Sequence, residues 1–119
     1  MKTVLIVDDS AFIRDIHREI IETGGFRVIE AANGENALAQ YDTHRPDAVL
    51  MDLLMPDMDG MDVIEKIMAG DPSAITIVCS TDKQKYRRKE GELIGARAFL
   101  PKPVDSEELL ETLKRLIPA

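Results

Sequence analysis

Three aspartates, a hydroxyl pair and one lysine stand where polar residues interrupt apolar runs. Asp8 and Asp9 follow Val4-Leu5-Ile6-Val7, and Asp52 follows Ala48-Val49-Leu50-Met51. Ser80 and Thr81 follow Cys79, while Lys102 lies between Pro101 and Pro103 after Ala98-Phe99-Leu100. Carboxylates brought together repel, and without a cation at least one is driven to hold its proton. A hard divalent ion with a preference for oxygen ligands relieves this, and Mg²⁺ suits two or three carboxylates plus a main-chain carbonyl. Three carboxylates, one Mg²⁺ and one ammonium carry no net charge, so the site is ready for an anion. A phosphoryl group on Asp52 would offer its outer oxygens to the metal, the Lys102 ammonium and the Ser80 hydroxyl. Those are the positioning and charge neutralisation that phosphoryl transfer needs, with a carboxylate as nucleophile. Zinc does not fit, because His17 and His44 do not pair with Cys79 at ligand spacing.

These residues meet only if the runs before them are neighbouring strands. Apolar runs at 3–7, 26–31, 48–51, 75–79 and 98–100 alternate with segments of helical period. The first, third and fourth are nearly continuous Val, Ile, Leu, Met and Ala, as in strands covered on both faces of a parallel sheet; the second alternates and reads as peripheral. A first helix is capped by Ser10, carries Phe12, Ile13, Ile16 and Ile20 at helical spacing, and stops at Gly24-Gly25. Asn33-Gly34 has the look of a hairpin turn, but Ala37, Leu38 and Tyr41 have period 3.6, so a helix starts there. Val63, Ile64, Ile67 and Met68 form a third stripe ended by Gly70. Asp105 with Glu108 caps a last helix whose stripe is Leu109, Leu110, Leu113, Leu116 and Ile117. The segment 83–94 is the weakest helix signal, with only Tyr86, Leu93 and Ile94 as large apolar residues and Gly91 inside. A crossover is nevertheless required there, since parallel neighbours cannot be joined by a tight turn. The expectation is a (βα)5 doubly wound α/β fold around a five-stranded parallel sheet, one domain over 1–119 with no effector domain. In such sheets functional groups gather at the carboxyl ends of the strands.

Composition narrows the function classes. The chain has 119 residues, 15 basic against 22 acidic, and a net charge of −7. That balance argues against nucleic acid or a membrane as a partner. No apolar run approaches the roughly 18–20 residues of a membrane span, and the apolar start is too short for a signal peptide. A single cysteine, Cys79, cannot form an internal disulfide, and a cytoplasmic location is expected.

Taken together, Val7-Asp8-Asp9-Ser10, Asp52 through Gly60, Cys79-Ser80 and Lys102-Pro103 resemble the response-regulator receiver family, most of all its single-domain chemotaxis (CheY-like) type. The resemblance spans the whole chain, and four motifs in the right order make it specific. It implies strand order 2-1-3-4-5, as in flavodoxin-like folds. It also implies a role for each residue. Asp52 would be the phospho-acceptor. Asp8 and Asp9 would hold Mg²⁺, Asp9 more directly, with Asp52 and the Leu54 main-chain carbonyl as further ligands. Ser80 would be the switch hydroxyl, Lys102 would contact the phosphoryl group across a cis bond to Pro103, and Phe99 would be the switch aromatic. Thr81 stands where the family usually has a smaller residue, which narrows access to the acyl phosphate. A sensor histidine kinase would donate the phosphoryl group, and a downstream protein would read the face of the fourth helix, fifth strand and fifth helix. That protein could be the flagellar motor, a phosphotransfer protein or another target.

Other residues have plainer readings. Asp57 and Asp62 read as solvent-facing turn residues, Asp59 as a helix cap, Cys79 as buried and unreactive, and both histidines as surface residues. Lys83, Lys85, Arg87, Arg88 and Lys89 place five basic residues within seven positions. That run reads as a solvated helix face, with Arg87 and Arg88 on the output side facing an acidic partner. Three other functions compete with the switch. A phosphorelay or stand-alone receiver would look the same at this level. A Mg²⁺-dependent aspartyl phosphohydrolase needs a second acid two residues after the nucleophile, where Leu54 stands. A degenerate receiver would lack the acceptor, the acid pair or the lysine, and none is missing. The expected protein is a signal carrier, not an enzyme.

Overall fold

The computed structural model describes residues 1–81 and 85–118, with every side chain among them except those of Lys85 and Tyr86. The elements in chain order are β1 (Thr3–Val7), α1 (Ala11–Thr23), β2 (Arg27–Ala31), α2 (Gly34–His44), β3 (Ala48–Met51), α3 (Gly60–Gly70), β4 (Thr76–Ser80), α4 (Lys85–Ile94), β5 (Ala98–Pro101) and α5 (Ser106–Leu116). The strands form one sheet in the order β2-β1-β3-β4-β5, and every neighbouring pair is parallel. The doubly wound fold and strand order expected from the sequence are therefore those observed. The fourth and fifth strands end one residue later than the apolar runs do, at Ser80 and Pro101.

Alternation along each strand divides the core between the two faces. Leu5, Val7, Val49, Met51 and Val78 face one core with Tyr41 of α2 and Val63, Ile64 and Ile67 of α3. Val4, Ile6, Ala48, Leu50, Ile77 and Cys79 face the other with Ile21 of α1 and Leu109 and Leu113 of α5. Burial on both faces explains why β1, β3 and β4 lack an apolar–polar alternation. Each fully buried Leu or Ile contributes about 1.5–3 kcal/mol over its exposed state, and this anchors the strands whose ends carry the site.

Among the described residues, side chains cap four helices, at Ser10, Asp59 and Asp105 as read from the sequence and at Asn33 in addition. Ser10, Asn33, Asp59 and Asp105 accept main-chain N–H bonds from Ile13, Asn36, Met61 and Glu108. Two helices depart from expectation. In α1 the buried residues are His17 and Ile21, whereas Phe12 (73% exposed) and Ile16 face outward. The helix docks through His17 and Ile21, with the expected Ile20 partly buried against the same core, so its buried line lies about one step round from the stripe expected. His17 is thus a core residue and not a surface one, while His44 is exposed. In α4, Leu93 is 80% exposed, so it contributes nothing to packing. Ile94 packs against the core as expected, whereas Tyr86 lies outside the described side chains and Lys83 outside the described residues.

Thr76 is fully buried in β4, on the face of Val78, and its hydroxyl has no hydrogen-bond partner among the described residues. An unsatisfied buried hydroxyl costs stability that an isosteric methyl does not. Thr76→Val should therefore raise unfolding stability by about 1 kcal/mol, read as a higher urea midpoint at unchanged slope; a lower midpoint would show that the hydroxyl is satisfied.

Candidate functional site

Register places the site. Val7 pairs with both Ala31 and Met51, so Asp8 and Asp52, each one residue further, emerge side by side. The ladder continues into both: Asp8 N–H donates to the Ala31 carbonyl at 3.2 Å and Asp52 N–H to the Val7 carbonyl at 2.9 Å. Ser80 pairs with Pro101, which delivers Lys102 to the same edge. Asp8 and Asp52 are buried and Asp9 is exposed. The three offer carboxylate oxygens all within 4.8 Å of one another. Lys102 Nζ lies 2.6 Å from Asp8 Oδ2 and 3.3 Å from Asp52 Oδ1, and the Lys102–Pro103 peptide is cis. Ser80 is buried at the end of β4, and Thr81 beyond it is exposed. Leu54 is 61% exposed.

The charges behave as crowding demands. Burial pushes the Asp52 carboxyl above its ordinary range, the Lys102 ammonium opposes this, and the neighbouring Asp8 adds to it. Burial pulls Lys102 down, but its hydrogen bond to Asp8 and the charges of Asp52 and Asp8 outweigh it, so the ammonium is held more firmly than usual. The donor set is all oxygen, open through Asp9 and overcharged without a cation, which fits Mg²⁺ and not a soft metal. Cys79, buried behind the site, has its thiol pushed up to about 12 by burial and is inert.

Asp8 is anchored on every side. Its Oδ1 accepts from Ser10 N–H at 2.9 Å, and its main-chain carbonyl accepts from Arg14 Nη1 at 2.7 Å. Arg14 Nε in turn donates to Glu30 Oε1 at 2.8 Å. The spacing of Arg14 and Arg18 on one helix face, with Glu30 at the end of β2, was the available sequence signal for this network.

The loop after β3 is fastened by residues that sequence reasoning read only as turn residues and a cap. Asp57 accepts from Gly34 N–H at 3.0 Å and Glu35 N–H at 3.2 Å, placing a carboxylate at the positive end of α2; those bonds, the Gly34 one foremost, hold it below the usual carboxylate range. Asp59 both caps α3 and receives Arg87 bidentately, at 2.9 and 2.6 Å, and the Arg87 bonds lower its pKa. Gly60 lies against the main chain of Asp52 and Leu53, where any Cβ would strike the Asp52 carbonyl. Asp62 is exposed as expected.

Arg87 corrects the output-face reading. Its side chain is only 14% exposed and points to Asp59, so it is not a free basic residue on a solvated face. Arg88 is exposed, pairs with Glu92 at 3.2 Å, and sits 5.4 Å above the Phe99 ring. The half-buried Phe99 ring occupies the space that a Cβ on Gly91 would need. That is the reason for a glycine inside α4.

Comparison with known proteins agrees with this geometry. A profile described as the response regulator receiver domain matches residues 4–114. The chemotaxis protein CheY of Thermotoga maritima is 42% identical over 116 residues, covering 97% of each chain. The crystal structure of CheY4 from Vibrio cholerae superposes with a TM-score of 0.92 at 32% identity, over 98% of this chain and 99% of that one. The CheX–CheY–BeF3–Mg complex from Borrelia burgdorferi gives a TM-score of 0.92 at 34% identity, over 98% of this chain and 90% of that one.

Two outcomes follow from the packing around the site. Burial first, and Lys102 second, lower the His17 pKa, with Asp8 opposing, and its Nδ1 has no partner among the described residues. In the unfolded chain the imidazole takes a proton below about 6.5, while the folded one resists it. His17 therefore contributes a loss of stability as pH falls below that value. The wild-type minus His17→Leu difference in unfolding free energy, measured in EDTA, should grow more unfavourable to wild type from pH 7 to pH 5; a flat difference would contradict the assignment. Separately, Gly91→Ala should destabilise wild type and be far better tolerated in a Phe99→Ala background, where the helix-propensity gain of about 1 kcal/mol is opposed only by Met61 Cε, 3.1 Å from the new Cβ. Equal effects in both backgrounds would show that the ring does not depend on the missing Cβ.

Proposed function

The chain belongs to the response-regulator receiver family, as a CheY-like receiver of two-component signalling, and from that premise we propose that Asp52 is its phospho-acceptor and that phosphorylation switches the α4–β5–α5 face. Receivers of this kind are signalling proteins and not metabolic enzymes. The observation that carries the reading is Lys102 Nζ placed between Asp8 and Asp52, at 2.6 and 3.3 Å, with Asp9 completing the acidic cluster.

In the proposed reaction an Asp52 oxygen attacks the phosphorus of a phosphohistidine on a sensor kinase. The new P–O bond forms as the P–N bond breaks, and the departing imidazole recovers a proton from solvent. Asp8, Asp9, Asp52 and the Leu54 carbonyl would hold Mg²⁺, which supplies the charge neutralisation that phosphoryl transfer requires. Lys102, kept protonated and already beside Asp52, balances a second oxygen of the transferred group. The Ser80 hydroxyl, at the end of β4, bonds a third and so reports phosphorylation to β4. Phe99, in register with Val78 one strand over, carries the change to the face beside α4. Thr81 borders the access route for water that hydrolyses the acyl phosphate, returning carboxylate and inorganic phosphate.

The Borrelia CheY that shares 34% identity is found with Mg, BeF3 and CheX, which supports a magnesium site here and a protein as the reader of the switch. On the output face Arg88, Lys89 and Leu93 are exposed, a basic and apolar combination suited to an acidic, amphipathic partner segment. Arg87, engaged with Asp59, is no longer assigned to it. The phosphohydrolase alternative gains nothing from the geometry, since the residue two beyond Asp52 is the exposed, apolar Leu54.

Acetyl phosphate with Mg²⁺ should add one acid-stable, base-labile phosphoryl group, seen by intact mass, and EDTA should prevent it. Asp52→Asn should remain unlabelled. Lys102→Ala should be labelled yet show little of the amide shift change in α4 and β5 that wild type shows. Full labelling of Asp52→Asn would overturn the assignment.

A further inference from the structure

The magnesium reading leaves unexplained why an arginine on α1 reaches the main chain of the acid pair. Arg14 is 17% exposed and Glu30 is 26% exposed, so neither is an ordinary surface charge. One edge of the Arg14 guanidinium is spent on Glu30, and Nη1 is directed at the Asp8 carbonyl oxygen, 2.7 Å away. Glu30 keeps a second partner, Arg18, whose Nε lies 2.7 Å from Oε2. The peptide that joins Asp8 to Asp9 is planar and rigid. Holding its oxygen therefore sets the direction in which the chain leaves Asp8, and with it the position of the Asp9 Cα.

Asp9 needs such help more than its neighbours do. Asp8 is fixed at both carboxylate oxygens and at its N–H, and Asp52 is buried at the end of a central strand. Asp9 alone is exposed, two residues past the end of β1, and its carboxylate has no hydrogen-bond partner among the described residues. On the reading that Asp9 is a metal ligand, we infer that Arg14, oriented by Glu30, is a positioning residue that aims Asp9 into the magnesium site. The arrangement is counter-intuitive on charge alone. A guanidinium beside a cation site repels the incoming ion, so its presence there is explained by geometry and opposed by electrostatics.

That opposition gives the test its sign. Removing a positive charge beside the acids should tighten Mg²⁺ binding if Arg14 acts only as a charge. Loss of positioning should weaken it by about tenfold, the low end of what orienting partners of metal ligands contribute. Mg²⁺ affinity would be measured by isothermal titration calorimetry, with urea stability alongside, for wild type, Arg14→Met, Arg14→Lys and Arg18→Met. The inference expects about tenfold weaker binding for both Arg14 variants, because a lysine keeps the charge but cannot hold Glu30 and the carbonyl together. Arg18→Met, which leaves the Arg14 clasp on Glu30 and Asp8 in place, should bind as wild type does even if it loses comparable stability. Unchanged or tighter binding by Arg14→Met overturns the inference, and so does equal weakening in Arg18→Met. A wild-type protein that takes up no Mg²⁺ would overturn the proposed function, and this inference with it.

Discussion

The rest of the structure depends on repulsion among carboxylates confined to one edge of a sheet. Two full charges no more than 4.8 Å apart repel by about 3 kcal/mol or more at an effective dielectric near 20. Asp8 and Asp52 are both buried, so water relieves little of this. Lys102 offsets it, and the Asp52 carboxyl is pushed above its ordinary range by burial first, with Asp8 adding to the shift. An all-parallel sheet is the architecture that makes such crowding possible, because it brings the carboxyl ends of four strands to one edge. The apolar burial of β1, β3 and β4 on both faces then supplies the rigidity that holds like charges together.

The loop that follows Asp52 is held to the same standard. Asp57 ties it to the start of α2, Asp59 ties it to the start of α3 and to α4, and Gly60 lets its main chain lie flush against that of Asp52. These anchors are polar and directional, unlike the apolar contacts under the strands. A loop fixed by hydrogen bonds to three helices holds the main chain that follows Asp52 in place. A looser loop would leave the proposed carbonyl ligand to be ordered by the ion itself, at an entropic cost to binding.

What was legible in the sequence follows the range of each interaction. Strand identity and the site residues were readable because continuous apolar runs, and the polar residues that end them, are local signals. Caps such as Ser10 and Asp105 act over three residues, and they too were readable. Asp57 bonds a main chain 23 residues away and Arg87 reaches Asp59 across 28, so neither role has a local mark, and the basic run looked solvated as a result. His17 misled for a different reason. Ile13, Ile16 and Ile20 define a helical stripe only to within one step of rotation, and a histidine on the buried line broke the pattern that would have fixed its angle. Gly91 looked like a defect in α4 until the Phe99 ring was placed against it.

That last contact changes the meaning of the weak fourth helix. An apolar stripe would hold α4 by many small, non-directional contacts that tolerate sliding. Here the described anchors are a bidentate Arg87–Asp59 pair and a ring seated in the Gly91 gap, with Arg88 above it, beside the apolar contact of Ile94 with the core. Charge-assisted forks lose their strength over small displacements, and a ring either fits the gap or leaves it. Both anchors start from residues tied to the site: Asp59 belongs to the loop that begins at Asp52, and Phe99 precedes Lys102 by three residues on the same strand end. The poor helix signal of α4 thus goes with anchors that tie it to the loop after Asp52 and to the strand end that carries Lys102.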